Sequence, residues 1–190
     1  GSPSSAVVVS PTCGAERGGG GVALAAEIAE LVRAKRRAGR PCVLGLASGR
    51  SPLGVYRELA RLHAEDGLSF AGVTTFNLDE YVGLDAAHPR TFRAWMQAHF
   101  FDHVDLPKDQ IHVPPSELPA GREDAWAADY ERSIAAAGGI DLQVLGLGRN
   151  GHVAFNEPGS ARDSRTRLVE LAAETRADAA ADFGGLEHTP

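Results

Sequence analysis

Short aliphatic runs alternate with segments of helical period along most of this chain, and that alternation constrains the fold more than any other feature. Cys42-Val43-Leu44-Gly45-Leu46, Val73-Thr74-Thr75-Phe76-Asn77 and Leu142-Gln143-Val144-Leu145-Gly146 each read as a buried strand. Ala6-Val7-Val8-Val9 and Gln110-Ile111-His112-Val113 are weaker strands. From Val22 to about Ala38, Leu24, Ile28, Leu31 and Val32 recur at three- and four-residue steps, and Gly39 ends that helix. Ser51 as N-cap and Pro52 as first helical residue predict another start, continued by Leu53, Tyr56, Leu59, Ala60 and His63 on one face. Helices are also expected from Thr91 to about Phe101 and from Asp124 to Ala137, the second ended by Gly138-Gly139. Strands separated by helices predict an α/β fold, an open and mostly parallel sheet with helices on both faces in a Rossmann-like three-layer arrangement. With 190 residues, a single domain over residues 1–190 is expected. Asp79 to Arg90 reads as a loop, and Leu168, Leu171 and Ala172 suggest a strand or short helix. Ala177 to Asp182 has little to bury, and residues 184–190 read as a loose tail.

Composition narrows the function classes. Net charge is −6 and no stretch is strongly basic, which argues against a nucleic-acid partner. No run of eighteen apolar residues exists, so no membrane-spanning helix is expected. The first residues, Gly1 to Ser5, lack the charged and apolar regions of a secretory leader, and two cysteines, Cys13 and Cys42, form neither a disulfide framework nor a zinc spacing. A reducing, cytoplasmic setting is the expectation. The seven histidines form no HExxH pair, and no metal is expected.

In an open parallel sheet, ligands bind beyond the carboxyl ends of the strands. Three segments leave such ends here. Ser48-Gly49-Arg50-Ser51 turns a strand into a helix start, where backbone N–H groups and hydroxyls suit a phosphate. A capped helix start without a ligand would look the same. Asn77-Leu78-Asp79-Glu80-Tyr81 places two adjacent carboxylates at a strand end. Their repulsion predicts that one faces a cleft, where a desolvated Asp79 can act as general base, and the other turns elsewhere. Two ordinary surface acids are the alternative. The third segment, Gly146-Leu147-Gly148-Arg149-Asn150-Gly151-His152, spells GxGxxG after a strand. A dinucleotide site is rejected on context, because the motif follows the last clear strand and Pro158 cuts helix propagation. Gly146 and Gly148 instead let the backbone pass close to a small ligand. His152, held in a useful tautomer by a carboxylate partner in Glu157, can then carry a proton near neutral pH; a lone loop histidine is usually structural, but this one sits in a ligand-type loop beside Asn150.

These residues resemble a known family. Phe76-Asn77-Leu78-Asp79-Glu80-Tyr81-Val82-Gly83-Leu84 with His88-Pro89, and Gly148-Arg149-Asn150-Gly151-His152-Val153-Ala154-Phe155-Asn156-Glu157-Pro158-Gly159 followed by Ser164-Arg165-Thr166-Arg167, are similar to glucosamine-6-phosphate deaminases, as is Phe100-Phe101-Asp102-His103-Val104-Asp105. The likeness runs from about Ala6 to Phe183. The related 6-phosphogluconolactonases share the fold and the Gly-His turn. The resemblance implies conversion of D-glucosamine 6-phosphate and water to D-fructose 6-phosphate and ammonia, without a cofactor. It implies catalytic roles for Asp79, His152, Glu157 and Asn150, and substrate contacts from Ser48, Gly49, Arg50, Ser51, Tyr81, Gly146 and Gly148. A small amino-sugar phosphate is the implied partner, with homo-oligomers known among relatives. Asn150 stands where many members carry Asp, Arg50 where they carry a small residue, and Val169 where allosterically regulated members carry Lys. The family's phosphate-clamping Arg falls at Ala181, its phosphate Lys lies beyond Pro190, and members continue for two more strands and helices. That departure motivates a second reading, a non-catalytic or degenerate sugar-phosphate-binding relative.

Overall fold

The computed structural model describes residues 5–8, as backbone, and residues 21–190. The elements run β1 (Ser5–Val8), α1 (Gly21–Arg37), β2 (Cys42–Leu46), α2 (Leu53–Asp66), β3 (Val73–Asn77), β4 (Asp79–Val82), α3 (Phe92–His99), β5 (Ile111–His112), α4 (Glu123–Ala136), β6 (Leu142–Gln143), β7 (Arg167–Glu170) and α5 (Ala173–Phe183).

Four strands form a parallel sheet in the order β5-β3-β2-β6. Every residue of β2 is buried, as expected of a strand covered on both faces. Ala25, Ile28, Ala29 and Val32 form the inward stripe of α1, and Val32 and Arg36 share a cavity with Cys42 and Val73 at the amino-terminal edge of the sheet. On the other face, Tyr130 of α4 packs edge-on against Phe76 with ring centroids 5.7 Å apart. Its hydroxyl donates to the carbonyls of Asn77 and His112, tying α4 to two strand ends. Tyr56, Phe70 and Phe100 are fully buried in the α2–α3 layer. Burying such side chains contributes about 1.5–3 kcal/mol each, which is what draws the helices onto the sheet.

The three-layer α/β arrangement is therefore present, but a second sheet adjoins it. Its order is β4-β1-β7, antiparallel throughout. Asp79 to Val82, expected as loop, is strand β4, because its backbone pairs with β1, a partner distant in sequence. The Ala177–Asp182 stretch lies inside α5, which Gly184 ends in a left-handed conformation at φ 77°. That helix packs a narrow face, Ala179 and Phe183, on a small cluster around Tyr81, Phe155 and Leu171. Val169 belongs to the same cluster. Ser51 does not cap α2: the residue before that helix is Pro52 and no side chain caps it. Thr91 does cap α3, accepting from the Ala94 N–H. Only Leu142 and Gln143 of the expected last strand pair, although the Val144 N–H still reaches the Gly45 carbonyl. Residues 184–190 are tied down where a loose tail was expected, since the Arg176 guanidinium donates to the carbonyls of Leu186 and Thr189. No described helix is long and apolar enough to cross a membrane.

Candidate active site

β2 and β3 both end at the same edge of the parallel sheet, and so does the run after β6. Ser48, Gly49, Arg50 and Ser51 follow β2, Asp79 follows β3, and Gly146, Gly148 and His152 follow β6; all line one cavity of about 430 Å³. Tyr81, Phe92, Ala154 and Phe155 add an apolar wall, and Thr175, Asp178, Ala179 and Asp182 of α5 close another side.

In the first turn, Gly49 takes φ 99°, which only glycine adopts without strain, while Arg50 does not have a positive φ. Among the described residues, the N–H groups of Gly49, Arg50 and Ser51 make no hydrogen bond. They stand just ahead of the amino terminus of α2, where the helix macrodipole favours an anion. The Arg50 side chain is 89% exposed.

The adjacent acids divide as their repulsion demands. Glu80 is fully buried and accepts from the N–H groups of Tyr81, Phe92 and Arg93, so it caps the start of α3. Burial nevertheless raises its pKa, with these hydrogen bonds pulling the other way. Asp79 lines the cavity and is 7% exposed. Its Oδ1 is buried with no hydrogen-bond partner among the described residues. Burial, and after it the charge of Glu80, lifts the Asp79 carboxyl from 3.8 to about 8. Such a carboxyl can both take and return a proton near neutral pH, which is the requirement for moving a proton between neighbouring carbons.

The third loop doubles back on itself: the Gly148 N–H donates to the His152 carbonyl, and Gly151 turns the corner at φ 89°. The imidazole lies over Gly148, where an added Cβ would stand 2.1 Å from Nε2. Ala154 takes φ 52°, a left-handed conformation unfavourable to a side chain, at the point where the loop turns back from His152 toward Phe155. Asn150 and Glu157 do not line the cavity; they stand behind His152. The Asn150 amide donates to Glu157 Oε2 at 2.9 Å, and its carbonyl accepts from the His152 N–H at 3.0 Å. Glu157 lies 3.9 Å from His152 Nδ1, too far for a hydrogen bond. Thr175 bridges the gap. Its hydroxyl donates to Glu157 Oε1 and lies 3.4 Å from Nδ1. Burial pushes the Glu157 carboxyl up, but Thr175, Asn150, the Ala172 N–H and the nearby imidazole outweigh it and hold the pKa below its ordinary value.

Thr175, Phe92, Asp178 and Asp182 are site residues that sequence reasoning missed. Thr175, Asp178 and Asp182 recur at steps of three and four, a spacing that puts them on one face only once the segment is known to be the helix α5. Ala181, expected from the resemblance to stand where a phosphate-clamping Arg would be, lines a neighbouring hollow with His88, Phe183 and His188. Lys35 pairs with Asp141, whose carboxylate also accepts from the Val43 N–H at the far end of β2. Among the described residues, no group of three or more His, Cys, Asp or Glu could hold a metal ion.

The sequence matches the family of glucosamine-6-phosphate isomerases and 6-phosphogluconolactonases over residues 21–179. It is 47% identical over 163 residues to a glucosamine-6-phosphate deaminase of Rhodococcus jostii (strain RHA1), covering 86% of this chain and 62% of that protein. Over 164 residues it is 48% identical to glucosamine-6-phosphate deaminase 1 of Giardia intestinalis, covering 86% and 59%. The chain thus spans about three-fifths of the length of the curated relatives it matches. A solved monomeric glucosamine-6-phosphate deaminase superposes with a TM-score of 0.83 at 38% identity, covering 90% of this chain and 68% of that one. A 6-phosphogluconolactonase from Plasmodium vivax, at 20% identity and TM-score 0.62, shares the fold. With one family matched across most of its length and relatives near half identity, this chain belongs to the glucosamine-6-phosphate isomerase/6-phosphogluconolactonase family.

Proposed function

We propose that the chain converts D-glucosamine 6-phosphate and water to D-fructose 6-phosphate and ammonia. The observation that carries this reading is the convergence of a buried carboxyl with a pKa of about 8, an imidazole and a phosphate-suited turn on one cavity of about 430 Å³. In the proposed course, His152 moves the proton between the C1 hydroxyl and the ring oxygen as the C1–O5 bond breaks. Glu157, through Thr175, fixes the imidazole's orientation. The ionised Asp79 then takes the C2 proton, and the electrons pass to the C1 carbonyl, whose oxygen gains a proton. Asp79 returns its proton to C1, leaving an imine at C2. Water adds at C2, the C–N bond breaks, and ammonia departs as the ketone forms. These steps consume one water and need neither oxidant nor metal. Asn150, neutral where an Asp would be charged, serves by hydrogen bonding alone.

A coupled assay for fructose 6-phosphate tests the proposal. Turnover of glucosamine 6-phosphate that disappears in Asp79→Asn is the expected result. Binding without turnover at millimolar substrate would establish the non-catalytic reading, and neither binding nor turnover would dismiss both.

A further inference from the structure

Thr175, Asp178, Ala179 and Asp182 form one face of α5, and all four line the cavity. Two of them are carboxylates, in a cavity read as taking a dianionic phosphate. Each engages an arginine of a different loop. Arg149, beside the His152 turn, donates to Asp178 Oδ1 at 2.5 Å. Arg50, in the Ser48–Ser51 turn, stands 3.6 Å from Asp182 Oδ1. Apart from His152, Arg50 and Arg149 are the basic side chains lining this cavity among the described residues.

Both ion pairs are largely solvated, with arginine side chains 89% and 72% exposed. Pairs of that kind contribute little to stability and separate readily. A phosphate offers more, because its three terminal oxygens accept bidentate, charge-assisted hydrogen bonds from a guanidinium. The N–H groups of Gly49, Arg50 and Ser51, unengaged among the described residues, belong to the same cavity lining and can take the remaining lone pairs. Left in place, two carboxylates would repel the incoming group.

We propose that Arg50 and Arg149 are the phosphate ligands of this cavity, and that Asp182 and Asp178 hold them until phosphate displaces the carboxylates. This rests on the reading of the cavity as a sugar-phosphate site. Phosphate recognition here is an exchange of partners, and the acidic face of α5 sets its strength.

The test uses titration calorimetry of the 190-residue chain with inorganic phosphate and, separately, with glucosamine 6-phosphate. Asp178→Asn with Asp182→Asn should tighten phosphate binding about three- to tenfold, and Arg50→Gln with Arg149→Gln should weaken it about tenfold or more. Melting curves establish that each variant is folded. In a double-mutant cycle, Asp178→Asn should tighten binding less when Arg149 is already Gln, because no pair remains to be released. Unchanged phosphate affinity in the Asp variants, or strictly additive effects in the cycle, would overturn the exchange. Turnover of glucosamine 6-phosphate alongside such a result leaves the proposed reaction standing. Phosphate affinities that shift as described without any turnover defeat the reaction and leave the exchange standing.

Discussion

Asp79→Asn should make the chain more resistant to unfolding at alkaline pH than at acid pH, relative to the parent. Burial, then Glu80, raises the Asp79 pKa from 3.8 to about 8. In the unfolded chain the carboxyl ionises near its ordinary value, so between these two pKa values the folded chain holds a proton that the unfolded chain has lost. The associated stability is full below pH 4 and falls as pH rises toward 8, by about 1.36 kcal/mol per pH unit. From pH 5 to pH 8 the loss amounts to about 4 kcal/mol. Asparagine does not titrate, and the loss vanishes in the variant. Urea unfolding of both chains at pH 5 and pH 8 gives the difference between their stabilities at each pH. Any constant effect of burying an amide cancels between the two conditions, and Glu80 titrates in both chains. A gap that widens by several kcal/mol in favour of the variant is expected. A change under about 1 kcal/mol would refute the reasoning, since Asp79 would then ionise alike in both states. The same substitution should lower kcat at least about a hundredfold, and the parent's kcat/KM should climb with pH until Asp79 is ionised, near 8.

Thr175→Val should lower kcat about tenfold with little change in KM and should shift the pH profile of kcat, because the imidazole loses its link to Glu157; an unmoved profile would deny Thr175 that role. Gly148→Ala places a Cβ 2.1 Å from His152 Nε2, so the ring must move, and a loss of about a hundredfold in kcat with a near-parental melting temperature is expected. Glu80→Gln removes the carboxylate that accepts three N–H groups and should destabilise the fold by about 1–3 kcal/mol in urea unfolding, whatever it does to activity. Cys42 is 2% exposed and burial pushes its thiol to about 11, so iodoacetamide at pH 8 should leave it unmodified in the folded chain; rapid alkylation mapped to Cys42 would contradict its burial.

The parts of the fold legible in the sequence were those held by local pattern. The stripe of α1, the uniformly apolar β2 and the helix starting near Thr91 all declare themselves within a dozen residues. β4 and α5 did not, for different reasons. Asp79-Glu80-Tyr81-Val82 carries two charges that look like loop, and only pairing with the remote β1 makes it a strand. α5 buries small residues on a narrow face, so its periodicity hardly rises above the alanine background. The site divides in the same way. Asp79, His152 and the Ser48–Ser51 turn stood out by chemistry at strand ends, and the opposed fates of Asp79 and Glu80 followed from their repulsion. Thr175 was hidden because its importance lies in filling a gap between His152 and Glu157 that spacing alone cannot measure. Ser51 was misread because its hydroxyl chemistry suits a cap, whereas the chain reaches the helix through Pro52.

The chain crosses from one sheet to the other at Leu78, with β3 on one side and β4 on the other. Asp79 is the first residue past that seam, and Val8 is its register partner. The carboxyl proposed to transfer the proton is thus moored by backbone remote from it in sequence, since β1 is itself flanked by β7. Amino-terminal trimming or tagging near Ser5–Val8 should then disturb the backbone that carries Asp79, and deuterium uptake along β4 is where it would first register.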